Sequence, residues 1–196
     1  KEYLEDRVAQ VYNFKVDDYH TYFVGNNYIW VHNADCTIEF NNKSGLDEKE
    51  YKQQLADQQD GLNNMTVEEY QNNRASYEAN GRASDSSKFQ QSARQEAIAD
   101  RTSQNIQNGM SYEDACNEAA SWAKGKAALH GPDQIAGGSP SNITGLGDSK
   151  INSSIGSQWK ADSRIGTLDA YVDKLASGLS PAERSTTHLN VELILK

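Results

Sequence analysis

Four histidines occur in the chain, and one of them, His130, has an aspartate three residues on, Asp133. An imidazole and a carboxylate at that spacing suit general acid/base chemistry, and the same pair suits a hard divalent cation. Both fall where a helical pattern meets a glycine-rich run, His130-Gly131-Pro132-Asp133-Gln134-Ile135-Ala136-Gly137-Gly138. Each residue also has a plainer use. A histidine at a helix end satisfies orphan carbonyls, and an aspartate closes an Asx-turn. Spacing alone favours that plainer use, so the surrounding residues must decide.

The elements that position the pair are read from periodicity and punctuation. Residues 111–129 predict a helix: Ser111 and Asp114 suit its start, and Gly131 and Pro132 stop it, which places His130 in the last turn. Upstream, 47–59 holds good helix formers with Tyr51 and Leu55 four apart. Thr66-Val67-Glu68-Glu69 is a capping box opening a helix that ends near Gly81. Residues 85–108 predict a long helix stopped by Gly109, with Phe89, Ala93, Ala97 and Ile98 near one face.

From 131 to 159 regular structure fades into glycine, serine and asparagine. A loop beyond roughly 12–15 residues inside a domain is unusual unless it is functional. Ile135, Ile143, Leu146, Ile151, Ile155 and Trp159 would pin it down. A helix follows over 167–176, Ser180-Pro181 opens a short one, and alternating Leu189, Val191, Leu193 and Leu195 predict a closing strand. The first 36 residues differ, with β-branched and aromatic runs at Val11–Val16, Thr21–Val24 and Tyr28–Val31. The expected fold class is mainly α (α+β overall): a helical domain with a long Gly/Ser/Asn-rich loop at its site, plus a small N-terminal β stub.

Composition bounds the function. The 196 residues are polar, with 36 % hydrophobic content, and carry a net charge of −9; mean hydropathy is −0.82. No stretch approaches the length of a transmembrane helix, and the opening residues Lys1–Asp6 read as the middle of something longer. Cys36 and Cys116 lack metal-ligand spacing. Residues 37–196 hold 16 Lys and Arg against 22 Asp and Glu. Proteins that grip nucleic acid usually carry a basic face. A nuclease on this chain therefore needs a local basic patch or a bound cation.

Two blocks of sequence carry a resemblance. Val11-Tyr12-Asn13-Phe14-x-Val16, His20-Thr21-Tyr22-Phe23-Val24-Gly25 and Val31-His32-Asn33 resemble the C-terminal end of a pretoxin Hint (intein-like) domain, found ahead of toxin tips in bacterial polymorphic toxins. In that family the terminal asparagine cyclises onto its own carbonyl, helped by the preceding histidine. The resemblance gives those autoprocessing roles to Asn33 and His32. Ala34 offers no nucleophile, so cleavage without splicing is expected.

Further on, Glu50-Tyr51-Lys52-Gln53-Gln54-Leu55, Gly61-Leu62-Asn63, Arg74, Gly81-Arg82, His130-x-x-Asp133-Gln134, Gly137-Gly138 and Asn152 through Trp159 resemble the polymorphic toxin type 15 family. The division expected is 1–36 as the Hint remnant and 37–196 as the toxin domain. The resemblance implies a mainly helical nuclease whose HxxD motif, here His130 and Asp133, carries activity.

The expected function is metal-dependent hydrolysis of DNA phosphodiester bonds, with RNA as the alternative substrate. The expected cofactor is a divalent metal, Mg²⁺, on Asp133 and His130 with Asp148 and Asn152 as further donors. Arg74, Arg82 and Arg94 are candidates for phosphate contacts, with solvated helix faces as the bland alternative, and Gln134 and Gln158 for polar substrate contacts. Trp159 is assigned to the core, and His188 to a structural place beside the last strand. The resemblance further implies a cognate immunity protein, delivery as the secreted or surface tip of a larger toxin, and action in the target-cell cytoplasm. The reading from another class is a non-enzymatic binding domain released by a Hint module.

Overall fold

A computed structural model describes residues 21–24, 29–32, 36–42, 45–161 and 163–196. The chain divides into two compact units, Lys1–Asp35 and Cys36–Lys196. Within the described part of the first unit, β1 (Thr21–Val24) and β2 (Ile29–His32) form an antiparallel pair with Thr21 opposite His32. The expected strand at 11–16 and the residue Asn33 lie outside the described residues.

The second unit is mainly helical. Its ends are joined by a parallel pair, β3 (Cys36–Phe40) with β6 (Val191–Leu195), Cys36 facing Val191. On β3 alternate residues Cys36, Ile38 and Phe40 are buried, the period-2 signature of a strand with one wet face. α1 (Glu48–Asn63) lays Tyr51, Leu55 and Leu62 into the core. α2 (Val67–Asn80) starts at the Thr66 capping box and ends at Gly81, whose φ of 71° a glycine adopts without strain. α3 (Ser86–Gln107) and α4 (Tyr112–Ala123) form a helical hairpin, and α5 (Ser149–Lys160), α6 (Arg164–Ser177) and the short α7 (Pro181–Arg184) follow. Trp159 is fully buried, edge-on to Phe40 with ring centres 5.1 Å apart, and its indole N–H donates to the Gln58 Oε1 at 2.8 Å.

Two expectations are corrected. The helix over 111–129 stops at Ala123: Lys124 turns extended with a ψ of 136°, and Gly125 follows with a φ of 74°. Lys126–His130 is instead a strand, β4, paired antiparallel with β5 (Ile143–Asp148). His130 therefore ends a strand, beside a register shift between Leu129 and His130, and is not in a helical turn. The stretch 131–159 is also no structureless loop. It contains a 3₁₀ turn (Gln134–Ala136), β5 and all but the last residue of α5. α1 holds this hairpin in place: the Glu50 carboxylate accepts from the Asp148 N–H at 2.5 Å, and the Gln54 amide donates to the Asp148 carbonyl at 3.3 Å. Gly147 permits that approach, since a Cβ there would sit 2.7 Å from both Gln54 Nε2 and Leu129 Cδ1.

Candidate functional site

His130 leaves β4 into a turn that has no room for extra atoms. A Cβ on Gly61 of α1 would overlap the Gly131 carbonyl, and one on Gly138 would overlap the Pro132 carbonyl. Asn142 donates its side-chain amide to the Gly131 carbonyl. Asp133 follows, with its own N–H 3.5 Å from Gln58 Oε1, the acceptor that also holds Trp159. The Asp133 carbonyl accepts from Ala136 and Gly138, closing the 3₁₀ turn. The histidine and the aspartate are thus fixed by a turn clamped against α1.

They line one cavity of about 390 Å³ between α3, β4 and α5. Ser87, Gln90, Gln91 and Arg94 come from α3, Lys126 from β4, Asn152 from α5, and Arg82 from the α2–α3 connection. Three cations, Arg82, Arg94 and Lys126, therefore face a single carboxylate, Asp133, in a protein of net charge −9. Arg82 reaches Asp133 at 3.3 Å. Arg94 donates to the Ala123 carbonyl at the end of α4 at 2.5 Å and to the Lys126 carbonyl at the start of β4 at 2.9 Å, tying the two elements together. The Lys126 ammonium also stands 5.3 Å from the Trp122 ring centre, a cation–π contact that steadies it.

His130 is 7 % exposed. Burial pushes its pKa below the ordinary histidine value; the Asp133 charge opposes that, Arg82 adds to it, and a backbone hydrogen bond at Pro140 opposes it. The result is a neutral imidazole at neutral pH, the form that accepts a proton. Behind it lies Gln134, 4 % exposed. Its Oε1 accepts from the Ala83 N–H at 3.0 Å, which fixes the amide orientation. Its Nε2 then donates to Ser86 Oγ at 2.8 Å and lies 3.5 Å from His130 Nε2.

Of the residues singled out in the sequence, the structure brings His130, Asp133, Asn152, Arg82 and Arg94 to one cavity. It does not bring the others there. Arg74 is buried against Asp169 at 2.7 Å and Glu78 at 2.9 Å, joining α2 to α6. Gln158 bonds both the N–H and the carbonyl of Asn41 and the Tyr51 hydroxyl, holding the exit of β3. Asp148 caps α5 by accepting from Lys150 and Ile151 N–H. His188 forms an isolated bridge with Thr66. His32 is described only as the last residue of β2.

Lys126 and, beside Arg94, the rest of the α3 polar stripe were missed in the sequence. A signal existed for the stripe: Ser87, Gln90, Gln91 and Arg94 repeat at i, i+3, i+4, i+7, one helix face that is polar throughout.

Among the described residues no three of His, Cys, Asp and Glu gather as a ready metal cage. The donors lining the cavity are one carboxylate (Asp133), the His130 imidazole, the amide oxygens of Asn152, Gln90 and Gln91, and the Ser87 hydroxyl. Asp133 is paired with Arg82, and one carboxylate does not make an all-protein cation site; a cation there would take most of its oxygens from water or substrate.

The two units carry two family signatures. Residues 1–34 match the model of the pretoxin HINT domain, so the molecule is of the polymorphic toxin class, a Hint end followed by a toxin domain. Residues 46–194 match the model described as Novel toxin 15, and the chain belongs to that family. No curated protein matches the chain. Among the described residues no helix is long and apolar enough to cross a membrane.

Proposed function

We propose that the second unit is a metal-dependent nuclease that hydrolyses DNA phosphodiester bonds, with RNA as the alternative substrate. One observation carries the reading: a neutral histidine, a carboxylate and three cations converge in one cavity of an acidic protein. The local basic patch that net charge left in question is thereby supplied by Arg82, Arg94 and Lys126.

The phosphate sits against Arg82 and Lys126, whose charges offset its own and that building up on it during attack. Arg94 adds charge from behind, with two of its donors held by carbonyls. His130 takes the proton of the water as its oxygen bonds to phosphorus; the P–O bond to one sugar oxygen breaks, and that oxygen leaves and takes a proton from solvent. Asp133 orients Arg82 and, with Asn152, offers oxygen to the cation. A divalent cation held by Asp133 and Asn152 would supply further charge relief and acidify the water.

Membership in a toxin family implies delivery to a target cell. We extend this to release of the unit by cleavage at Asn33, action in the target cytoplasm, and a cognate immunity protein in the producer. The test incubates the purified chain with supercoiled plasmid and with total RNA, in Mg²⁺ or EDTA, beside His130→Ala. Plasmid nicking that needs both the cation and His130 is expected. Loss of RNA alone makes the unit an RNase. If neither polymer is cut, the unit is a binding domain.

A further inference from the structure

A second hollow, of about 510 Å³, lies on the other side of Arg82, and Arg82 lines both. Its walls are the C-terminal part of α2 (Asn73, Tyr77, Asn80), the α2–α3 connection (Ser84) and the turn at Gly138 and Ser139. The chemistry of the two hollows differs. The first gathers three cations. The second has one cation, Arg82, and one carboxylate, Asp85, and otherwise mostly amides, hydroxyls, backbone and one aromatic ring. Such a lining does not favour a second phosphate, but it suits an uncharged, flat, polar-edged group, and its size is that of small-ligand sites.

Tyr77 is that aromatic. It is half-buried against the core, so its ring is held, while its hydroxyl has no hydrogen-bond partner among the described residues. Gln134 lines this hollow and also lies against His130 of the first. The two hollows thus share Arg82, and the Gln134 amide of the second stands against the histidine of the first.

We propose that the second hollow is a nucleoside subsite. It takes the unstacked base and sugar next to the phosphate held at Arg82, with the base against Tyr77. The proposal rests on the nuclease reading for that phosphate. Every base offers a π-face, so the subsite is tolerant of sequence. It requires a base out of the helical stack, so single strands and loosened ends are better substrates than intact duplex.

The test is a binding measurement on the full chain, which separates this proposal from the nuclease reading. Thymidine 3′,5′-bisphosphate and its abasic analogue, the same sugar bisphosphate without a base, are titrated and followed by backbone amide resonances. The nucleotide is expected to bind at least tenfold more tightly than the abasic compound and to move the amides of Ser84, Gly138 and Ser139. Tyr77→Phe keeps that preference, and Tyr77→Leu reduces it below threefold. Should Tyr77→Leu fail to fold, Ser84→Trp at an exposed wall position replaces it, filling the hollow and abolishing the preference. Equal affinity for the two compounds, or a preference that survives these variants, overturns the subsite. Base preference without cleavage would uphold the subsite and remove only the nuclease; His130-dependent cleavage without base preference would remove only the subsite.

Discussion

At the scale of single residues, His130 decides the pH behaviour. Burial depresses its pKa, and Arg82 depresses it further. A base must be deprotonated, so cleavage is lost as pH falls through the folded-state value. The acid limb of the rate profile should therefore lie below the ordinary histidine value of 6.5. Arg82→Gln removes a charge that disfavours the imidazolium, so the limb should move to higher pH as well as the rate falling. His130→Ala should cost roughly 100-fold or more, the usual contribution of a positioned base. Rates on plasmid across pH 4–8 for the three proteins check all of this; an acid limb that ignores Arg82 would separate the guanidinium from the histidine. Arg74 is the contrasting case. It is an arginine on the same side of the sequence, yet Asp169 and Glu78 engage it and it serves the α2–α6 contact.

At the scale of elements, the site depends on how closely α1 meets the turn after β4. Gly61 lies inside α1, where alanine would ordinarily gain about 1 kcal/mol of helix propensity. Here the added methyl would overlap the Gly131 carbonyl and lie 2.7 Å from Pro132 Cδ. Overpacking of this sort costs about 1–3 kcal/mol, and backbone atoms cannot swing aside as a side chain can. Gly61→Ala should therefore lower the melting temperature by several degrees and reduce cleavage more than stability, because the displaced turn carries both His130 and Asp133. Thermal melts and plasmid nicking on the same sample check it. Unchanged melting with full activity would mean that α1 does not set the turn.

At the scale of the whole molecule, each unit is compact by itself. The second closes by pairing its two ends, β3 with β6, which brings Cys36 opposite Val191. Val191 and Leu193 are buried there with Ile38 and Phe40. Removing residues 191–196 strips that layer and leaves the β3 ladder open, so the unit should fail to fold cooperatively. Removing 1–35 leaves its core intact and should preserve the melting transition and the cleavage. Circular dichroism and limited proteolysis of the two truncations distinguish the cases.

What the sequence determined by itself is what short-range chemistry determines. The Thr66 capping box and Gly81 bound α2, Ser180-Pro181 starts α7, and alternation over 189–195 marks β6. The His130–Asp133 pair and the change of composition after Cys36 were equally visible, because each rests on neighbours in the chain.

The β4–β5 hairpin was not visible. Ala127, Ala128 and Leu129 favour helix on their own, and only pairing with residues 143–148 and the hold of Glu50 and Gln54 make them a strand. The sorting of the arginines was hidden for the same reason. Arg74 and Arg82 stand eight residues apart, but what each does is set by Asp169 and Asp133, partners 95 and 51 residues away. Local signals choose where elements begin and end. Which polar group becomes a clamp, a cap or a site is decided by the partner that tertiary packing delivers, because a buried charge must be answered wherever its answer lies in the chain.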